Sequence, residues 1–105
     1  MNIPKKVKVG GKFYTVKITD CLIGGTDNRA AEIDYRNNEI RIGHNETSRQ
    51  HASFWHEIFH AIFDDLGYSE HDEKQVDELS NKLHALIVDN PKIFETKREK
   101  TEESE

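Results

Sequence analysis

The stretch "TSRQHASFWHEIFHAIFDDLG", Thr47 to Gly67, decides the fold. Phe54, Trp55, Ile58, Phe59, Ile62, Phe63 and Leu66 recur at intervals of three and four, which places them on one face of an α-helix. Thr47-x-x-Gln50 has the spacing of a capping box, and Gly67 marks the end of the pattern. A helix is predicted from about Ser48 to Leu66 on these signals.

Working downstream, Ser69-x-x-Asp72 has the form of a second N-terminal cap, and Val76, Leu79, Leu83, Leu86 and Ile87 make a second apolar stripe that ends near Asn90-Pro91. The short turn between the two patterns makes the helices antiparallel neighbours. Upstream, "KKVKVGGKFYTVKI" alternates lysines with apolar residues on both sides of Gly10-Gly11, a hairpin signature in which glycine supplies the positive φ of the turn. Asp20–Arg29 reads as a loop rich in Gly, Asp and Asn, and two short strands follow, about Ala31–Tyr35 and Glu39–Ile42, around Asn37-Asn38. The fold class expected is therefore α+β: a small antiparallel sheet of about four strands, then two packed helices. Residues 1–91 form a single domain in this reading. Residues 92–105 end in "ETKREKTEESE", a charged tail without apolar periodicity.

A chain of 105 residues with 34% hydrophobic content supports one modest core, so any active site must lie in a groove on a small scaffold. The net charge of −5 argues against nucleic acid as a partner, since binding to a phosphate backbone needs a basic face. The single cysteine, Cys21, cannot close an internal disulfide, which fits a reducing cytoplasm. Met1 to Gly10 lacks the apolar run of a signal peptide, and no segment reads as a membrane span. The expectation is a cytoplasmic protein with no membrane partner.

The first helix carries His56-Glu57-x-x-His60. Residues four apart on a helix project about 40° apart and about 6 Å along its axis, so two imidazoles can share one tetrahedral ion. Glu57, about 100° round from His56, is placed to reach a water on that ion rather than to ligate it. His56 and His60 are thus candidate ligands for one Zn²⁺, and Glu57 is the candidate general base. A third ligand must come from the margin of the second helix that faces the histidines. Glu73, Asp77 and His84 share that margin, whereas Glu78 points away from the stripe. Glu73 is the expected ligand for its longer reach and Asp77 the alternative, while His84 is a candidate hydrogen-bond donor to an oxyanion. Asp64 is a candidate to orient a ligand histidine from behind.

Residues Ile40–Gly67, with His56, Glu57 and His60 matching the motif outright, resemble the active-site region of zincin metallopeptidases, in particular small phage and prophage HExxH proteins akin to the ImmA/IrrE-type peptidases. "EKQVDELSNKLHALIVDNP" is similar to the second helix of such proteins, with Glu73 matching a looser acidic position. The resemblance implies a zinc-dependent peptidase acting on a peptide or protein substrate. It also implies that the strand at Glu39–Ile42 is the sheet edge along which an extended substrate lies. The alternative is a non-catalytic accessory protein that zinc stabilises and that binds a host or phage protein.

The remaining chemistry-bearing residues read more plainly. His44 is expected in a loop, His51 exposed or packed between helices, and His71, in the first turn of the second helix, solvated, with a spare metal ligand as the alternative. Trp55 and the phenylalanines of the first helix are expected to be core residues.

Overall fold

The computed structural model describes residues 2–20 and 30–93, in the order β1 (Lys6–Val9), β2 (Lys12–Thr19), β3 (Ala31–Asp34), β4 (Glu39–Gly43), α1 (Thr47–Asp65) and α2 (Glu73–Asp89). Cys21, most of the Asp20–Arg29 loop and the end of the tail, residues 94–105, lie outside the described residues. Each hairpin is closed by local chemistry. Gly10 takes a φ of 65° where Val9 turns back to face Lys12. At the β3–β4 turn the Asp34 carboxylate accepts from the backbone N–H of Arg36 and Asn37 and from the Asn37 side chain, and Asn38 adopts a φ of 53°.

The fold is α+β, a four-stranded sheet followed by two helices, with strand order β1-β2-β4-β3. The expectation of purely antiparallel pairing is corrected at one place. β4 runs parallel to β2, with Val16 opposite Ile40, and antiparallel to β3, with Ile33 also opposite Ile40. A tight turn forces consecutive strands to be antiparallel neighbours, but the chain from Thr19 to Glu39 is long enough for a crossover. β4 consequently sits inside the sheet, paired on both sides. The edge expected at Glu39–Ile42 is instead β3.

One sheet face is apolar and receives α1. Tyr14, Val16, Ala31, Ile40 and Ile42 pack against Phe54, Ile58 and Ala61, all buried. Burying an Ile or Phe side chain contributes about 1.5–3 kcal/mol, so this cluster is what holds α1 across the sheet. Of the aromatic residues of α1 expected in the core, Phe54 lies in it; Trp55, edge-on to Phe54, flanks it together with Ile62, and Phe59 and Phe63 are only partly buried because they lie off the face that meets the sheet. On the opposite face Arg41 is buried among the carboxylates of Glu32, Asp34 and Glu39, and Lys17 pairs with Glu39 at 2.8 Å.

The helix ends differ in detail from their sequence signals. α1 begins at Thr47, with Glu46 as N-cap and no side-chain cap bond, so Thr47 falls inside the first turn and no capping box forms. α2 is capped by Asp72 rather than Ser69: the Asp72 carboxylate accepts from Lys74 N and Gln75 N. Among the described residues α2 packs on α1 and on no strand. One neighbour covers a narrow stripe, so Val76, Ser80 and Ile87 are buried, while Leu79 and Leu86 of the expected stripe stay exposed. The buried Ser80 hydroxyl donates to the Asp77 carbonyl at 3.2 Å. Among the described residues, no helix is long and apolar enough to cross a membrane.

Candidate metal centre

The antiparallel helix pair sets the register of the site. Position 60 of α1 faces position 73 of α2, and position 56 faces positions 73 and 77. The Asp72 cap starts α2 so that its first turn lies over the middle of α1.

His56, His60 and Glu73 converge there, with one donor atom from each lying within 4.8 Å of the others. Glu73 Oε1 is 3.3 Å from His56 Nε2, and Glu73 Oε2 is 3.0 Å from His60 Nε2. Each carboxylate oxygen of Glu73 thus faces one imidazole, and the three side chains are close enough together to share one ion. The donor set of two imidazoles and one carboxylate is also the right chemistry for a zinc site that keeps a position open. Glu73, the expected third ligand, is thus the carboxylate that meets both histidines.

Each histidine is engaged on its other nitrogen. His56 Nδ1 lies 3.2 Å from Asp77 Oδ1, and His60 Nδ1 lies 2.7 Å from His71 Nδ1. Asp77, the alternative ligand, therefore stands behind His56, in the position from which a carboxylate orients a ligating imidazole. Asp64 does not take the orienting role considered for it. It lies 3.9 Å from Lys12, and both His60 nitrogens face other groups. His71 is half-buried, contrary to the expectation of a solvated residue; its Nε2 faces the Tyr68 carbonyl at 3.0 Å. Helical periodicity carries no information about a residue in the turn, which is why this contact was not legible in the sequence.

Glu57 is buried, with 5% of its surface exposed, and lines two recesses of about 330 and 690 Å³ together with His56 and Ala31. The first extends past Arg49, Ala52 and Asn81; the second passes Ile33, Tyr35 and Glu73. The Tyr35 hydroxyl donates to the His60 carbonyl at 3.3 Å, and burial pushes the Tyr35 phenol up, so it remains a donor. Burial holds the His60 imidazole below its ordinary pKa, against the opposing pull of Glu73. This favours the neutral ring that a metal requires.

His84 is placed elsewhere. Its ring packs edge-on against His51 with centroids 6.1 Å apart, in a recess shared with Ile87, Val88 and Pro91. That level is five residues before His56, about 7.5 Å along α1. His84, expected to reach an oxyanion, lines neither recess at Glu57, because sharing a helix margin does not fix its level along α1. His51 packs between the helices as expected, and His44 lies in the β4–α1 loop, 3.5 Å from Asp20.

Comparison of the chain with protein-family models, with curated proteins and with solved structures finds no match.

Proposed function

We propose that this protein is a zinc-dependent peptidase of minimal size, similar in plan to the HExxH zincins. The observation that carries this reading is the convergence of His56, His60 and Glu73 beside a buried Glu57 that opens onto two adjoining recesses. His56 and His60 would hold the ion through Nε2, and Glu73 through its carboxylate. A bound zinc ion supplies Lewis acidity, lowering the pKa of a water and polarising a carbonyl oxygen. Glu57 takes the proton from the attacking water and delivers it to the departing amine as the C–N bond breaks. Tyr35 and Ala31 wall the groove and limit solvent access.

The substrate expected is an extended peptide or protein segment. Among the described residues β3 pairs only with β4, which leaves its other edge as the place for main-chain pairing, and Ala31 and Ile33 of that strand line the groove that contains Glu57. Pairing of this kind selects for extended backbone more than for sequence. The reading further proposes a cytoplasmic setting, in the host cell if the chain is phage-encoded.

The test is Glu57→Gln. The amide keeps the shape but cannot take a proton, so zinc content stays at the wild-type level and turnover of a denatured protein substrate falls by about 10²- to 10⁴-fold. Retained turnover would refute the role given to Glu57. Zinc binding with no turnover in either protein would instead identify the ion as a structural staple of an accessory protein.

A further inference from the structure

The turn between the helices is built as a relay that ends on a ligand nitrogen. Gly67 adopts a φ of 98° after the last turn of α1, Tyr68 N donates to Phe63 O at 3.0 Å, and Gly67 N donates to Asp64 O at 3.0 Å. These two bonds, with the Phe63 and Tyr68 rings in edge contact, make a Schellman cap that fixes the Tyr68 peptide. The Tyr68 carbonyl can only accept, so the His71 Nε2 that faces it at 3.0 Å carries a hydrogen. A neutral imidazole with its hydrogen on Nε2 has its lone pair on Nδ1. That lone pair faces His60 Nδ1 at 2.7 Å.

The ring geometry suits a direct bond. The His60 and His71 planes differ by 25° and their centroids stand 5.0 Å apart. With the two nitrogens at 2.7 Å, the rings meet nearly coplanar and edge to edge, not face to face, so N–H and lone pair can be collinear. His60 then donates from Nδ1 and has a bare lone pair on Nε2. That lone pair looks at the Glu73 carboxylate across 3.0 Å. In the neutral ring that nitrogen is the one an ion would take, with the carboxylate as the neighbouring ligand.

We propose that His71 is a positioning residue: it holds the His60 imidazole in the plane and tautomer that leave Nε2 free to bind the ion. The inference rests on the zinc reading of the site and adds to it a residue that acts on the ion through His60; His71 also lines the second recess. The Phe63 ring, edge-on to His71 at 5.6 Å, backs the imidazole from the helix side.

Zinc affinity, measured by competition with a chromophoric chelator, tests it. His71→Phe keeps a ring in the turn but removes the acceptor, and binding is expected to weaken by about 10- to 100-fold. His71→Asn, whose amide oxygen stands near the position of Nδ1, is expected to recover most of that loss. Nitrogen-15 spectra of the zinc-loaded wild type are expected to show His71 protonated on Nε2 and His60 on Nδ1, a readout that needs no variant to fold. Equal zinc affinity of wild type and His71→Phe, or a His71 ring protonated on Nδ1 alone, would overturn the inference and leave the metal reading standing. A wild type that takes up no zinc overturns both.

Discussion

Asp77 Oδ1 lies 3.2 Å from Nδ1 of His56, on the side of the ring away from Glu73. One turn of α2 therefore supplies two carboxylates to one imidazole: Glu73 at the nitrogen that faces the ion site and Asp77 at the nitrogen behind it. A carboxylate so placed accepts Nδ1–H, fixes the ring's orientation and raises its basicity as a ligand. Asp77→Ala is expected to weaken zinc binding by about 10- to 100-fold. The Asp77 side chain is 64% exposed, so the helix itself should be unaffected. Chelator competition, paired with circular dichroism, checks both statements.

Gly10 is required twice over at the first hairpin. Its φ of 65° disfavours any residue with a Cβ, and a Cβ built there would stand 2.1 Å from the Asp65 carboxylate. Gly10→Ala is expected to destabilise the fold by about 1–2 kcal/mol, seen as a lower urea midpoint. Combining it with Asp65→Gly removes the clash but not the backbone cost, so the double variant should recover part of the loss and not all of it.

The zinc-free protein should lose stability in mild acid. Burial holds His51 and His60 below their ordinary pKa of 6.5. The unfolded chain therefore binds more protons than the folded one as pH falls below about 6.5. The contribution of these neutral rings is fully present above that pH and is lost as pH drops through their folded values. Urea unfolding at pH 7.5 and 5.5 measures the change. His51→Phe, which keeps a ring against His84 but cannot charge, is expected to lessen the acid loss; an unchanged loss would show that His51 does not contribute to it.

Much of this was legible in the sequence, and what was not has physical causes. The apolar intervals of Phe54, Ile58 and Ile62 and the alternation on either side of Gly10 located the helix and the first hairpin, since local periodicity is set by local geometry. The place of β4 was not local: whether a strand pairs beside its predecessor or inside the sheet depends on a long connection whose path no periodicity reports. Leu79 and Leu86 read as core because the pattern cannot reveal that, among the described residues, α2 packs on α1 alone. At the site, angular position round α2 correctly put Glu73 and Asp77 on the facing margin. The same margin did not bring His84 to the site, because the register of two helices depends on packing between them that turn length alone does not specify. His71 was read as solvated because its role depends on a turn carbonyl.

The most direct measurement is the zinc stoichiometry of the purified protein after dialysis against metal-free buffer, by elemental analysis, for the wild type and for Glu73→Ala. The expected result is one zinc ion per wild-type chain, removable by a strong chelator, and little or none in the variant. A wild-type chain that holds no zinc, or a Glu73→Ala chain that holds it as tightly, would contradict the His56, His60 and Glu73 site on which the proposed chemistry stands.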